Sequence, residues 1–158
     1  MRSIGIRVSP TVIFYTIILE DKKITHESLI IPKALINDIP RLLSFVRATL
    51  HSVICEYDIK YAGIRNIEGN ARTWDRFRIN LEGVIQELFS GSTIVSYFTG
   101  TKSSIQSRLG ISTVEINDCI KGDSNIYHVD NWESLNSNHR ESFLVAKSAL
   151  LSARRDES

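Results

Sequence analysis

The first residues alternate between apolar and polar. From Ser3 to Ser9, Ile4, Ile6 and Val8 fall on one side and Ser3, Gly5, Arg7 and Ser9 on the other. That period of two predicts a strand with one buried face, and Pro10 ends it. Val12 to Leu19 is rich in β-branched and aromatic residues and reads as a second strand. Glu20-Asp21-Lys22-Lys23 is a polar turn, and Thr25 to Ile31, closed by Pro32, is a third strand. Connections this short make an antiparallel meander. The period then changes. Ile39, Leu42, Leu43, Val46, Leu50, Val53 and Ile54 recur at helical spacing, with Asp38 placed as N-cap and Pro40 in the first turn. Tyr61 to Ile67 predicts a short fourth strand, broken by Gly69-Asn70. From about Trp74 a second helical stripe runs through Phe77, Leu81, Val84, Ile85 and Leu88, with Gly91 as its C-terminal cap residue. Thr93 to Phe98 predicts a fifth strand, and Thr101 to Leu109 a short helix ended by Gly110. Residues 111–136 hold few apolar positions and read as a loop with at most one helical turn. A last helix runs from Asn136 to about Arg154, with Phe143, Ala146, Ala149 and Leu150 on one face. The tail, 153–158, is expected to fray.

A meander followed by β-α units implies an α/β protein: a mixed five-stranded sheet with helices on both faces. Strands 1, 4 and 5 are expected to be parallel, joined by right-handed crossovers. The length, 158 residues, fits a single domain over 1–158. Lys plus Arg is 19 and Asp plus Glu is 18, a net charge of +1, so any binding to nucleic acid must come from a local patch. Two cysteines are too few for a disulfide framework or a cysteine-based zinc site. Cys55, in an apolar stretch, reads as a buried free thiol of a cytoplasmic protein. The start of the chain lacks a signal-peptide pattern, and the longest apolar stretch is far short of a membrane span.

Four stretches carry a resemblance. Ser3-Ile4-Gly5-Ile6-Arg7-Val8-Ser9-Pro10 sits where a first strand carries a Gly-Ile pair before an acidic residue. Tyr61-Ala62-Gly63-Ile64-Arg65-Asn66 sits where a fourth strand ends in glutamate. Val95-Ser96-Tyr97-Phe98-Thr99-Gly100-Thr101-Lys102 leads into the next helix, and Arg140-Glu141-Ser142-Phe143-Leu144-Val145-Ala146 opens the last one. In element order and in these stretches, over roughly residues 3 to 152, the chain resembles the RuvC-like branch of the ribonuclease H fold. More closely, it is similar to a family of uncharacterised bacterial RuvC-like proteins with an Ile-Arg-Glu element, a glycine-containing loop and an apolar helix. Such a resemblance implies three or four carboxylates that hold two Mg²⁺ or Mn²⁺ ions at a phosphodiester. It also implies a homodimer.

The sequence departs from that pattern. The acidic position of strand 1 falls on Arg7, and the glutamate position of strand 4 falls on Asn66, or on Arg65 if the register slips by one. Only Glu141 keeps a carboxylate. A guanidinium cannot ligate a cation, since it stays charged and has no acceptor. Arg7 is therefore expected to fill part of the vacated space and pair with Glu141, and no cofactor is expected. Relocated ligands built from Glu68, Glu141 and one of Asp118, Asp123 or Asp130 are the competing possibility, the only one that calls for Mg or Mn.

Residues 60–80 hold Lys60, Arg65, Arg72, Arg76 and Arg78 against Glu68 and Asp75, with Trp74 and Phe77 interleaved. Basic groups beside aromatics suit a nucleic-acid backbone with base stacking, although both aromatics also fall on the apolar helix stripe. Phe98-Thr99-Gly100-Thr101-Lys102-Ser103 lacks the glycines of a phosphate-binding P-loop and reads as a threonine-capped helix start. The four histidines, His26, His51, His128 and His139, show no ligand spacing. No Gly-x-Ser-x-Gly elbow is present. The resulting expectation is a catalytically inactive module that binds DNA, RNA or a protein partner. The alternatives are a divergent Mg/Mn-dependent nuclease, similar to a Holliday-junction resolvase, and a structural interaction subunit.

Overall fold

Residues 1–20, 22–67 and 75–156 are described by a computed structural model. Three strands open the chain: β1 (Ser3–Val8), β2 (Val12–Ile18) and β3 (Ile24–Ile30). Then follow α1 (Ile39–Glu56), β4 (Tyr61–Arg65), α2 (Arg76–Ser90), β5 (Ser96–Gly100), α3 (Lys102–Leu109), α4 (Thr113–Lys121) and α5 (Ser137–Asp156). The strands lie in the order β3-β2-β1-β4-β5. The meander pairs are antiparallel, and β1-β4 and β4-β5 are parallel. This is the mixed five-stranded α/β sheet that the patterning implied.

The alternation along β1 sorts the two faces. Ile4, Ile6 and Val8 meet Leu42, Val46 and Leu50 of α1 and Leu81 and Ile85 of α2 in one buried cluster. Each such side chain contributes roughly 1.5–3 kcal/mol by leaving water. On the opposite face, α5 brings Phe143, Leu144, Val145 and Ala146 against Phe98 of β5, Ile105 of α3 and Ile116 of α4. There β1 and β4 present Gly5 and Gly63, which are partners in the parallel register. The helix sits almost on the strands. A Cβ at Gly5 would lie 2.1 Å from Ser142 O and 2.2 Å from Ala146 N, and one at Gly63 would lie 2.7 Å from Val145 Cγ1. Ser3 Oγ completes the seam by donating to Ala146 O at 2.9 Å.

Several expectations change. Residues 111–136 are not a loop: they contain α4 and a 3₁₀ turn at Trp132–Ser134. β4 stops at Arg65, two residues early, and β5 is shifted to Ser96–Gly100. α2 begins at Arg76, with Asp75 Oδ1 accepting from Phe77 N. Thr101 stands at the N-cap of α3, but its side chain makes no capping hydrogen bond. α5 runs to Asp156. Cys55 is exposed rather than buried, because the buried stripe of α1 ends on its neighbour Ile54 and the next residue turns about 100° away. Cys119 is the buried thiol. Among the described residues, no helix is long and apolar enough to cross a membrane.

Candidate functional site

The face that carries Gly5 also carries Arg7, two residues further along β1. The parallel register sets Arg65 of β4 directly beside it. Both arginines stand at the ends of their strands, where the second turn of α5 passes over with Glu141. Arg7 and Glu141, expected to pair, lie with Nε 2.6 Å from Oε2, at 16% and 14% exposure. Arg65 Nε lies 3.8 Å from the same oxygen. The Arg7–Glu141 approach is a close charge contact rather than an aligned hydrogen bond. Among the described residues, neither Arg7 Nε nor Glu141 Oε2 has a hydrogen-bond partner of good geometry.

More charge lies close by. Arg78 Nε bonds Glu82 Oε1 at 2.9 Å, and Glu82 Oε2 accepts from Ile67 N at 3.4 Å. Burial pulls the Arg7 guanidinium down to about 10, Glu141 pushes it back up, and Arg78 and Arg65 lower it further. At neutral pH it stays charged. Among the described residues, three guanidiniums, Arg7, Arg65 and Arg78, lie with two carboxylates, Glu141 and Glu82, in a largely dry end of the sheet.

Asn66 does not enter this cluster. Its backbone continues the ladder through N–H to Gly100 O at 2.9 Å, and its carbonyl accepts from Arg65 Nη1. Alternation gives position 65 the face that carries Arg7, so the one-residue slip that the sequence left open is the observed register. The basic stretch 60–80 is not one patch. Lys60 precedes β4 at the end opposite Arg65 and pairs with Asp58 at 2.8 Å, since an extended strand carries residues apart by about 3.3 Å each. Arg78 is held by Glu82 inside the cluster, and Arg76 opens α2. Glu68, Arg72 and Trp74 lie outside the described residues.

Beside Arg65 and Glu141 opens a recess of about 480 Å³. Lys102 of α3 and Lys121 of α4 line it, with Asn117, Ser103 and Ile120. Lys102 Nζ donates to Asn117 Oδ1 at 2.8 Å. Sequence reasoning missed this wall because it read α4 as loop. The signal was there in the capping box of Ser112 and Glu115.

A second polar chain runs under α5. Ser142 Oγ donates to His139 O at 2.7 Å, Thr16 Oγ1 lies 2.7 Å from Ser142 Oγ, and His26 Nδ1 lies 3.0 Å from Thr16 Oγ1. Each hydroxyl has one proton. Ser142 uses its proton on the carbonyl, so Thr16 donates to Ser142 and must accept from His26. A neutral His26 therefore carries its proton on Nδ1.

The arginine cluster does not fit the divalent cations that the resemblance implies. Hard cations need anionic or carbonyl oxygens. Here the strand positions present guanidiniums, and the Glu141 carboxylate is engaged by Arg7 at 2.6 Å. Among the described residues, no group of three or more His, Cys, Asp or Glu side chains could hold a metal ion.

Neither a protein-family model nor a curated protein matches the sequence. Solved structures do. The Thermus thermophilus RuvC structure superposes with a TM-score of 0.70 at 10% identity, covering 99% of this chain and 97% of that one. T. thermophilus RuvC in complex with a Holliday junction substrate gives 0.70 at 11% identity, over 98% and 96%. The chain thus has the RuvC-like form of the ribonuclease H fold along its whole length.

Proposed function

We propose that this chain is a nucleic-acid-binding module in which the cleft of a RuvC-like fold engages phosphates through cations and does not cut by two-metal chemistry. The observation that carries the reading is the Arg7 Nε–Glu141 Oε2 contact of 2.6 Å, with Arg65 alongside. Guanidiniums occupy the strand ends where metal-ligating carboxylates would stand, and they match phosphate geometry well. Arg65, Lys102 and Lys121 add a cationic wall at the same end. The Holliday junction bound by the T. thermophilus protein of like fold supports a nucleic-acid partner.

The test pairs two titrations. Calorimetry with Mn²⁺ should give no saturable binding to the native protein. Fluorescence anisotropy with junction, duplex and RNA probes should give affinity that falls with salt. Three phosphate contacts would weaken binding roughly 40-fold between about 50 and 200 mM salt. Saturable Mn²⁺ binding that Glu141→Gln removes would replace this reading with a nuclease built on relocated acids. Absence of binding to all three probes would leave a protein-interaction subunit.

A further inference from the structure

A groove lies at the other end of the sheet. Ile18 closes β2, in register with Ser3 and Ile24, whereas Arg7 stands near the opposite end of β1. One wall of the groove is α5. Phe143, Lys147, Leu150 and Arg154 line it and recur at helical spacing, so a single stripe alternates apolar and cationic groups. The other wall is the β2–β3 hairpin, with Ile18, Lys22 and Ile24. Its turn is held by Leu19 N donating to Lys23 O at 2.9 Å and Lys22 N donating to Leu19 O at 3.1 Å. The volume, about 440 Å³, is that of an ordinary small-ligand site, roughly 300–1,000 Å³. Lys147 is half-buried here, and its ammonium stands 5.6 Å from the centre of the Tyr127 ring. Burial first, then Arg154 and Lys22, pull it below the ordinary lysine value, and no carboxylate among the described residues acts against them. Glu20, the one carboxylate among the described lining residues, is mostly exposed and faces Met1 N at 3.4 Å. A partly desolvated ammonium beside two further cations is a state that an anion relieves.

We propose that this groove binds a small amphiphilic carboxylate, its head at Lys147, Lys22 and Arg154 and its apolar body along Ile24, Phe143 and Leu150. Lys22 and Arg154 are exposed, so Lys147 is the one cation of the three that burial penalises. A singly charged head answers that single ammonium, and the apolar positions of the stripe let the body leave water. The inference does not rest on the nucleic-acid reading, because the groove and the arginine cluster occupy opposite ends of the sheet.

The experiment is calorimetric titration of the full chain with octanoate, octanol, acetate and inorganic phosphate. Octanoate should bind. Octanol lacks the charged head, and acetate and phosphate lack the body, so each should bind at least about tenfold more weakly. Lys147→Met keeps an apolar stem of similar length without the charge. It should weaken octanoate by about tenfold or more and leave octanol unchanged. A second measurement needs no variant: amine acylation of the native protein, followed residue by residue by mass spectrometry. Octanoate should slow labelling of Lys147 and leave the exposed Lys121 unaffected. Absence of octanoate binding, octanol binding as tight as octanoate, or an unchanged octanoate affinity in Lys147→Met would overturn the proposal. So would acetate or phosphate binding equal to octanoate, which would mean a simple anion site, and so would labelling of Lys147 that octanoate does not slow.

Discussion

Glu141 serves two guanidiniums, and that asymmetry is measurable. Taking away Arg7 leaves the carboxylate with Arg65 at 3.8 Å. Taking away the carboxylate leaves Arg7 and Arg65 side by side, with Arg78 adding to the repulsion that Arg7 feels. Breaking a buried ion pair from one side costs about 3–5 kcal/mol, and the residual exposure here favours the low end. Glu141→Gln should therefore lower stability in urea by about 3 kcal/mol and Arg7→Gln by less, about 1–2 kcal/mol. The opposite order would mean that Arg65 does not compensate. His26 gives a pH effect. Burial first, and the charge of His139 second, push its imidazole down from 6.5 to about 4. Unfolded chains take up a proton there near 6.5, whereas the folded protein resists until about 4, so the unfolded state binds more protons in between. Stability from this group is full above about 6.5 and is lost as pH falls toward 4. Thermal melts across that window should show a drop that His26→Gln flattens.

Among the elements, β1 and the helices α1 and α2 were legible because each buries a face with its own period, and β3 from its apolar and β-branched positions between turn signals. α4 was not, because only Ile116 and Cys119 of its residues are buried. What orders the segment around it is a set of contacts distant in sequence. Arg140 donates to Trp132 O at 3.1 Å, Ile120 O at 2.9 Å and Glu133 O at 3.1 Å. Trp132 Nε1 donates to Cys119 O at 3.2 Å. No local pattern encodes an arginine that satisfies three carbonyls. Arg140→Lys keeps the charge but lacks the planar fork that serves all three. It should cost about 2–3 kcal/mol, since hydrogen bonds to charged groups contribute ~1.5–3 each and a lysine retains part. Amide exchange should quicken over residues 113–135 while β1 and β4 stay protected. Equal protection in the variant would mean that the apolar contacts of Trp132 suffice.

For the whole molecule, the arrangement of sheet and helices followed from element order, and the Arg7–Glu141 contact followed from a basic residue at a strand position where the resemblance implies an acidic one. Arg65 did not, because a strand of five residues leaves its face undecided until the register with β1 is seen. The recess was hidden for the same reason as α4, its outer wall. The docking of α5 on the sheet gives a global test. Gly5→Ala would drive a methyl into backbone that cannot yield, and it should destabilise the protein by at least about 3 kcal/mol or prevent folding. Gly83→Ala, in α2 with nothing within 4 Å of the added carbon, should stabilise by about 0.5–1 kcal/mol. Denaturant midpoints of the two variants should move in opposite directions.

The height of α5 over β1 is set by main chain resting on main chain at Gly5. The groups at positions 7 and 141 are therefore carried on a fixed gauge that does not depend on what they are. A mutation that turns a carboxylate into a guanidinium, or back again, alters the charge held in that gap without altering its width. The charge held at such a place can change while the scaffold stays put. The fixed gauge also makes the position a convenient socket for engineering, since new ligands placed there would arrive already spaced.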